Sequence, residues 1–155
     1  MSLSLAYYGN PVLRRKTEPV RTFDGELRAL AREMVETMEA ESGIGLAGPQ
    51  VSRPERIFVM RIPADMDVDE NGERLNPGLR GPLVAVNPEI RNASEERDVM
   101  EEGCLSIPDV RGNVERPAGV TLAFQDVEGR ERELRLQGLA ARCAQHELDH
   151  LNGIL

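Results

Sequence analysis

The sequence predicts an α+β protein in which a mainly antiparallel sheet packs on a helix near the C-terminal end. Three observations indicate this class. Apolar residues follow helical spacing early in the chain, several short strand-like runs separated by turn residues fill the middle, and a second helical stretch closes the chain. The length of 155 residues is that of one domain, which we take to span 1–155.

The composition excludes several classes of partner. The formal net charge is −8, whereas nucleic-acid binding depends on Lys and Arg that neutralise phosphates. Neither direct nucleic-acid binding nor attachment to an anionic membrane is therefore expected. No signal-peptide pattern is visible, and no apolar run approaches the ~18 residues of a membrane span. We expect a cytoplasmic protein, in which Cys104 and Cys143 are thiols rather than a disulfide.

An irregular segment at 1–22 precedes an amphipathic helix that the spacing predicts from Gly25 to Ala40. Asp24 is the predicted N-cap, and Gly43 is the predicted stop. One apolar stripe, with the spacing i, i+3, i+4, i+7, i+8, i+11, marks the buried face of this helix: Leu27, Leu30, Ala31, Met34, Val35 and Met38.

The stretch from Gly43 to Gln50 holds three glycines in six positions, which is a poor sequence for a helix or a strand. It is either a turn into the next strand or a loop whose backbone faces a ligand, with Gln50 presenting its amide. A dinucleotide site is rejected, because the glycine spacing differs and Pro49 prevents the required helix.

Two buried strands are predicted at 56–62 and 83–90, and Pro88 breaks the second late in its course. Residues 63–82 between them form a long polar excursion, a hairpin tip or a mobile loop. Its Asp-x-Asp-x-Asp run resembles the start of a calcium loop. Calcium is rejected, because the glycine falls at the eighth position rather than the sixth and Asn76 replaces the closing Glu.

The last third of the chain contains a predicted hairpin and a predicted helix. Residues 120–127 and 132–136 pair across Glu128-Gly129, a compact turn signal. The helix is predicted from Leu139 to Leu151.

That final helix carries His146, Glu147 and His150 in the pattern H-E-x-x-H, with the only two histidines of the chain. Residues four apart on a helix project from the same face, one turn above the other. Two imidazoles so placed can hold one divalent metal, and Glu147 can handle the protons of a metal-activated water. The alternative is a pair of structural histidines.

A catalytic site of this kind usually needs a third protein ligand, and no suitable side chain follows His150. Cys143 shares the helix face, but its α-carbon would lie ~10.5 Å along the axis from that of His150. We interpret Cys143 as a pocket wall or a small buried apolar residue. Cys104, in an extended segment able to cross the helix, is the favoured ligand; its alternative role is a nucleophile with a histidine as base.

Three stretches together carry a resemblance to a known family: Gly43–Gln50 (GIGLAGPQ), Glu102–Ser106 (EGCLS) and Gln145–Leu151 (QHELDHL). In this order and spacing they resemble the three signature motifs of the peptide deformylases. The resemblance spans most of the chain, from Gly43 to Gly153, and the motifs are jointly far more specific than any one alone.

The resemblance implies an α+β fold in which mainly antiparallel sheets wrap around a central C-terminal helix that carries the H-E-x-x-H motif, together with an N-terminal helix. It also implies removal of the N-formyl group from the formylmethionine of newly synthesised polypeptides, with release of formate. The implied cofactor is one divalent metal, usually Fe(II), which Zn, Ni or Co can replace.

The resemblance also implies individual residue roles. The metal ligands and the general acid/base would be Cys104, His146, His150 and Glu147. The donors to the formyl oxygen would be Gln50 and the backbone N–H of Leu105. The substrate-binding residues would be Gly45 for the peptide backbone, Arg111 near its far end, and Ile44, Met100, Leu139 and Cys143 around the methionine side chain.

Two other functions remain open on the sequence: an amidase of the same fold that acts on another N-acyl group, and an inactive relative that serves as a binding module. The expected partners are N-formylmethionyl nascent peptides, with transient ribosome contact. Gly48 stands where the family usually has Ala, which loosens the loop before Gln50. Few residues follow the last motif, so either the final helix frays there or the chain is a shortened form.

Overall fold

The computed structural model describes residues 3–7, 9–79, 81–104 and 106–154, without the side chains of residues 100, 101, 103, 104 and 107–111. The helices in this part of the chain are α1 (Gly25–Ala40) and α2 (Gly138–Leu151), with 3-10 helices at Pro11–Arg14, Gly48–Val51 and Ala64–Met66. The strands are β1 (Gly45–Ala47), β2 (Ile57–Met60), β3 (Leu83–Arg91), β4 (Arg97–Cys104), β5 (Ile107–Pro117), β6 (Gly119–Gln125) and β7 (Glu131–Gln137). None of these helices is both long and apolar enough to cross a membrane.

The strands form two antiparallel sheets. One has five strands in the order β1-β2-β3-β6-β7, and the other is the two-stranded pair β4-β5. The predicted α+β class with antiparallel sheets is therefore confirmed. The predicted hairpin at Glu128-Gly129 is present as β6 and β7, with Gly129 at a φ of 85° in its turn.

Helix α1 has the bounds that its apolar stripe predicts, and the Asp24 side chain caps its first turn at 3.1 Å. At the other end, the N–H groups of Ser42 and Gly43 donate to the carbonyls of Glu39 and Met38 at 3.1 and 2.9 Å. This is a Schellman closure. Ser42, with a φ of 56°, takes the left-handed position that we expected Gly43 to fill.

Strand β2 is the element on which both helices pack, and all four of its residues are buried. Ile57 and Val59 belong to a core cluster shared with α1, whereas Phe58 and Met60 belong to the cluster shared with α2. Alternate residues of a strand face opposite sides of a sheet. Helix α1 therefore covers one face of the sheet here, and α2 covers the other.

Two regions differ from the sequence predictions. Residues 45–47, predicted to lie in a turn or a loop, form the edge strand β1 beside β2, and residues 48–51 form a buried 3-10 helix. Strand β5 is missing from the predictions, although it pairs with β4 along most of its length. Both strands are rich in charged residues, and most of their described side chains are exposed or half-buried, so the alternating apolar signal of a strand is weak.

The polar excursion at 63–82 is tied to the start of α2. The amide of Asn76 donates to the carbonyl of Gln137 at 2.9 Å, and its oxygen accepts from the N–H of Gln137 at 2.8 Å. The same amide donates to the buried carboxylate of Asp67, which also pairs with Arg74 at 3.2 Å. Asp67, the middle residue of the Asp-x-Asp-x-Asp run, thus holds this segment in place.

The end of α2 is held at several points, so fraying, one of the two alternatives that the sequence left open, is not seen. The N–H groups of Gly153 and Ile154 close a Schellman motif on its last turn, at 3.1 and 2.9 Å. The carbonyl of Leu151 accepts from the N–H and the hydroxyl of Thr17, at 2.9 and 2.8 Å. Arg56 donates to the side-chain oxygen of the C-cap residue at 3.0 Å, which places a cation at the negative end of the helix.

We expect Gly153→Ala to destabilise the protein by more than the cost of its backbone conformation. Gly153 has a φ of 77°, which costs a residue with a Cβ about 1–2 kcal/mol. A Cβ there would also overlap the carbonyl oxygen of Arg14 and lie 2.8 Å from its carbonyl carbon. Urea unfolding monitored by circular dichroism measures the loss.

The matched control is Gly72→Ala, at a φ of 80° with nothing within 4 Å of the added Cβ. The difference between the two losses isolates the contact between the end of α2 and the N-terminal segment. Equal losses in both variants would contradict this account of the helix end.

Candidate metal and catalytic site

The two histidines of α2 turn their ring nitrogens toward each other. Nε2 of His146 lies 3.1 Å from Nε2 of His150, and the rings meet edge to face with centroids 4.7 Å apart. Two nitrogens bound to one tetrahedral metal at about 2.0–2.1 Å each would be about 3.4 Å apart. Burial lowers the pKa of His150 to about 3, so its imidazole is neutral, the form that binds metals. The pair therefore fits a divalent metal.

Glu102 fixes the orientation of the first histidine. Its Oε1 lies 2.9 Å from Nδ1 of His146, where the ring donates to the carboxylate. With its proton on Nδ1, the ring presents the lone pair of Nε2 toward His150. A carboxylate behind a metal-ligating histidine sets the tautomer and the ring orientation in this way. The arrangement is a second observation that fits a metal site.

Two arginines keep Glu102 ionised. Arg116 donates to both carboxylate oxygens at 2.7 and 2.9 Å, and Arg142 donates to Oε2. Burial opposes the charged form of Glu102, but the hydrogen bonds from His146, Arg116 and Arg142 outweigh it and hold the pKa of this carboxyl well below its usual range. Arg116 also reaches Asp149 of α2 at 2.9 Å. The negative charge behind His146 is thus present at all moderate pH values.

Glu147 directly follows His146 on α2, but its environment differs from that of Glu102. It is 4% exposed, and its Oε1 has no hydrogen-bond partner among the described residues. Burial raises the pKa of Glu147 to about 7. Such a group gains and loses a proton readily near neutral pH, as general acid–base catalysis requires. The two glutamates of the site are therefore tuned in opposite directions.

Gly45 of β1 makes room for that carboxylate. A Cβ at this position would overlap Oε2 of Glu147 and would lie 2.8 Å from Sγ of Cys143. The strand can approach the helix closely only because this residue has no side chain. The family resemblance implies that Gly45 binds the substrate backbone, which stays a prediction, and the structure adds this steric reason for a glycine.

Gln50 is buried in the 3-10 helix that directly follows β1, and hydrogen bonds orient its amide. Its Oε1 accepts from the N–H of Ala47 at 2.9 Å, and its Nε2 donates to the hydroxyl of Ser106 at 3.2 Å. Gly48 lies two residues before Gln50. A Cβ at Gly48 would be 2.7 Å from the carbonyl oxygen of Glu55, so this close backbone contact favours glycine over Ala.

The predicted methionine pocket is only partly within the described residues. Cys143 is buried, and its thiol lies 3.6 Å from the carbonyl of Ile44, which is half-buried beside it. Leu139, also half-buried, lies one turn earlier on α2. Burial, reinforced by Glu147, raises the pKa of Cys143 well above its usual range, so this residue is a free thiol rather than the thiolate that binds metals.

The remaining predicted residues lie on the β4–β5 hairpin, where little is described. Met100 and Cys104 are residues of β4, and Arg111 lies opposite Gly103 in β5. The side chains of these three residues, and Leu105 as a whole, lie outside the described part of the chain. Within that part, no three His, Cys, Asp or Glu residues form a metal-binding group. The role of Cys104 therefore stays a prediction.

Sequence reasoning missed four residues that organise the site: Glu102, Ser106, Arg116 and Arg142. Glu102 and Ser106 stand inside the E-G-C-L-S motif, so their neighbourhood was a usable signal. Arg116 and Arg142 look like ordinary charged residues in the sequence. Only their burial reveals them, with side-chain exposures of 14% and 5%.

The site is that of a metal-dependent hydrolase. It combines two facing imidazoles, a carboxylate behind one of them, and a buried glutamate whose pKa suits proton exchange. Comparison with known proteins narrows this class. A sequence model of the family described as polypeptide deformylase matches residues 2–155. The peptide deformylase of Rhizobium meliloti is 48% identical over 146 residues, which cover 94% of this chain and 78% of that protein.

Solved structures give the same result. The crystal structure of peptide deformylase from Thermotoga maritima superposes with a TM-score of 0.86 at 38% identity, covering 100% of this chain and 95% of that one. The Met-Ala-Ser-bound class I type b peptide deformylase from Acinetobacter baumannii gives 0.85 at 37% identity, with coverages of 100% and 97%. The chain belongs to the polypeptide deformylase family. The predicted family, enzyme class and main function are confirmed, and the alternative functions gain no support.

We expect Gly45→Ala to lower kcat/KM for deformylation by at least ~100-fold, since small misplacements of a catalytic group have costs of that size. The added methyl group cannot share the space of the Glu147 carboxylate. Steady-state kinetics of formate release measure the effect.

Gly25→Ala serves as the control, since the nearest group to its added Cβ is the flexible Arg28 side chain at 3.8 Å. Circular dichroism should show that both variants fold. A Gly45→Ala enzyme with the activity of the control would refute the steric role of this glycine.

Proposed function

We propose that the chain hydrolyses the N-formyl group of formylmethionine at the start of newly synthesised polypeptides and releases formate. One observation carries the proposal. On the helix that carries the two facing imidazoles, the buried Glu147 carboxylate lies against Gly45, and its Oε1 has no hydrogen-bond partner among the described residues. This is the arrangement that a water and a small carbonyl group require.

We propose Cys104, His146 and His150 as the ligands of one divalent metal. One thiolate and two neutral imidazoles leave the 2+ ion with partial positive charge. When bound, the metal supplies a Lewis acid that polarises the formyl carbonyl and lowers the pKa of a water toward ~7. We favour Fe(II), with Zn, Ni or Co as substitutes.

The protons are handled by Glu147. Its carboxylate takes a proton from the water that attacks the formyl carbon, and the carboxylic acid then protonates the amine that leaves. A pKa of about 7 suits both steps, because neither protonation state is strongly disfavoured at neutral pH. The carboxylate of Glu102 does not compete for this role, since its pKa is held low.

The formyl oxygen needs hydrogen-bond donors as it becomes negative. We assign this role to Nε2 of Gln50 and to the backbone N–H of Leu105. Gln50 is prepared for it, because Ala47 and Ser106 fix its amide before substrate arrives. Preorganised donors of this kind are typically worth ~10²–10³ in kcat.

The substrate would be held by its methionine side chain and its backbone. We propose Gly45 for the peptide backbone, Arg111 near the far end of the peptide, and a flexible aliphatic pocket around the methionine formed by Ile44, Met100, Leu139 and Cys143. A linear thioether side chain suits such a pocket. The Acinetobacter baumannii relative has been crystallised with Met-Ala-Ser, a product of this chemical type.

We further propose that residues 1–155 form one catalytic domain, in which the sheets wrap around the central helix α2 that carries the H-E-x-x-H motif. A cytoplasmic location and transient ribosome contact fit a substrate that arises during translation. Contacts of both sheets with α2, through the core cluster and through Glu102, support this arrangement.

The experiment that tests the function is anaerobic deformylation with metal analysis. Formyl-Met-Ala-Ser should be hydrolysed with release of formate, whereas acetyl-Met-Ala-Ser should not. If Fe(II) is the native metal, purification in air should reduce activity, and Ni(II) or Co(II) should restore it. Turnover of the acetyl peptide at a similar rate would instead favour an amidase of broader acyl specificity.

We expect Glu147→Ala to retain its metal and to lose roughly 10²–10⁴-fold in kcat, the usual contribution of general acid–base catalysis. Formate release and elemental analysis of the same preparation measure both quantities. Glu89→Ala, at an exposed position on β3, is the control. Near-normal turnover by the Glu147 variant would rule out its role as general acid/base.

A further inference from the structure

The β4–β5 hairpin is a separate element that must be fixed against α2 for the site to exist. It pairs with no strand of the five-stranded sheet among the described residues. Yet β4 carries Glu102 and the predicted ligand Cys104, whereas α2 carries both histidines. The proposed metal site therefore spans the boundary between these two elements, and its geometry depends on whatever fixes one against the other.

Among the described residues, Arg142 makes the most hydrogen bonds across this boundary. It lies on α2 one turn before His146, and its side chain is only 5% exposed. Its Nη2 donates to the carbonyl of Asp98 in β4 at 2.7 Å, and its Nη1 donates to the carbonyl of Val114 in β5 at 2.8 Å. Nη1 also donates to the carboxylate of Glu102. One guanidinium thus holds both strands of the hairpin and the carboxylate behind a histidine.

We propose that Arg142 is a positioning residue of the metal site, which acts by fixing the β4–β5 hairpin, and with it Glu102 and the Cys104 backbone, at the distance from α2 that metal binding requires. This inference deepens the proposed function and rests on it. Arg142 touches neither substrate nor metal. It acts through Glu102, which orients His146, and through the backbone of the strand that carries the third ligand.

A guanidinium is suited to this task, and an ammonium group is not. Arg presents several donors in a rigid plane, so two carbonyls and a carboxylate in fixed directions can be satisfied together. Lys keeps the charge and most of the stem, but its single nitrogen cannot reach three acceptors spread over two strands and one side chain. Arg142→Lys therefore removes the geometry while it keeps the charge beside Glu102.

The experiment compares the metal affinity of the full chain with that of its variants. Co(II) is titrated into metal-free protein against a competing chelator, and the absorption spectrum of the Co(II) protein is recorded. Arg142→Lys should bind Co(II) about 10-fold more weakly, and Arg142→Met up to about 100-fold more weakly, the range known for residues that support metal ligands. The visible bands of bound Co(II) should shift, because the ligand geometry changes.

Arg97→Lys is the matched control. Arg97 belongs to the same hairpin, but it is exposed and pairs with Glu115 across the two strands at 3.1 Å, and no hydrogen bond joins it to α2 among the described residues. Its substitution should leave both the affinity and the spectrum unchanged. Thermal unfolding of the metal-free proteins shows how much of any effect is general stability.

The Lys variant decides the matter. Reduced thermal stability with unchanged Co(II) affinity would overturn the proposal, because Arg142 would then serve packing alone. Failure of Arg142→Lys to fold would also overturn it, since the residue would serve the whole fold.

Deformylation by the unsubstituted chain, measured in parallel, separates this inference from the proposed function. Co(II) binding without deformylation by that chain would reject the function and leave the affinity test valid. Deformylation with equal affinities in all variants would reject only the role of Arg142. Failure of the unsubstituted chain to bind Co(II) would reject both.

Discussion

The buried carboxylate of Glu102 is the interaction on which the rest of the site depends. It accepts hydrogen bonds from one histidine and two arginines, and it is the point where the β4–β5 hairpin meets α2. A buried carboxylate is costly unless it is fully paired, and here every one of its partners is a strong donor. The ion cluster is thus less a source of net stability than a device that specifies how two elements meet.

Close backbone approach is the second constraint. Gly45 brings β1 against Glu147, Gly48 receives the carbonyl of Glu55, and Gly153 meets the backbone of Arg14. At each place a Cβ would force chain segments apart. Strand β2, buried on both faces, joins these contacts to the core, since it pairs with β1 and packs on both helices. The environment of Glu147 is therefore built from main-chain contacts as well as from side chains.

These two constraints explain why the two glutamates of the site, Glu102 and Glu147, differ so strongly in pKa. Two arginines and a histidine donate hydrogen bonds to Glu102, so its pKa is lowered, whereas burial removes Glu147 from water and raises its pKa to about 7. Separation of pKa values between two carboxyls in one site is a common way to assign distinct roles to them. In the proposed mechanism, Glu102 orients His146, a proposed metal ligand, and Glu147 exchanges protons.

The sequence predicted what is periodic or concentrated in motifs. Helix α1, the β6–β7 hairpin and α2 follow from apolar spacing and turn residues, and His146, Glu147 and Gln50 follow from short patterns. Strand β5 escaped prediction because its charged, largely exposed residues carry little alternating signal. Arg142 escaped because a buried arginine and a surface arginine look the same in a sequence. Their difference lies in long-range contacts with Asp98 and Val114, which no local pattern encodes.

We propose that one metal ion lies between α2 and the β4–β5 hairpin, and X-ray absorption spectroscopy of the metal-loaded protein can detect its ligands. A metal held by Cys104, His146 and His150 should show one sulfur scatterer at about 2.3 Å and nitrogen or oxygen scatterers at about 2.0–2.1 Å. The sulfur should disappear in Cys104→Ala and persist in Cys143→Ala. A metal shell that contains only nitrogen and oxygen, or one that loses its sulfur in Cys143→Ala, would exclude Cys104 as the third ligand.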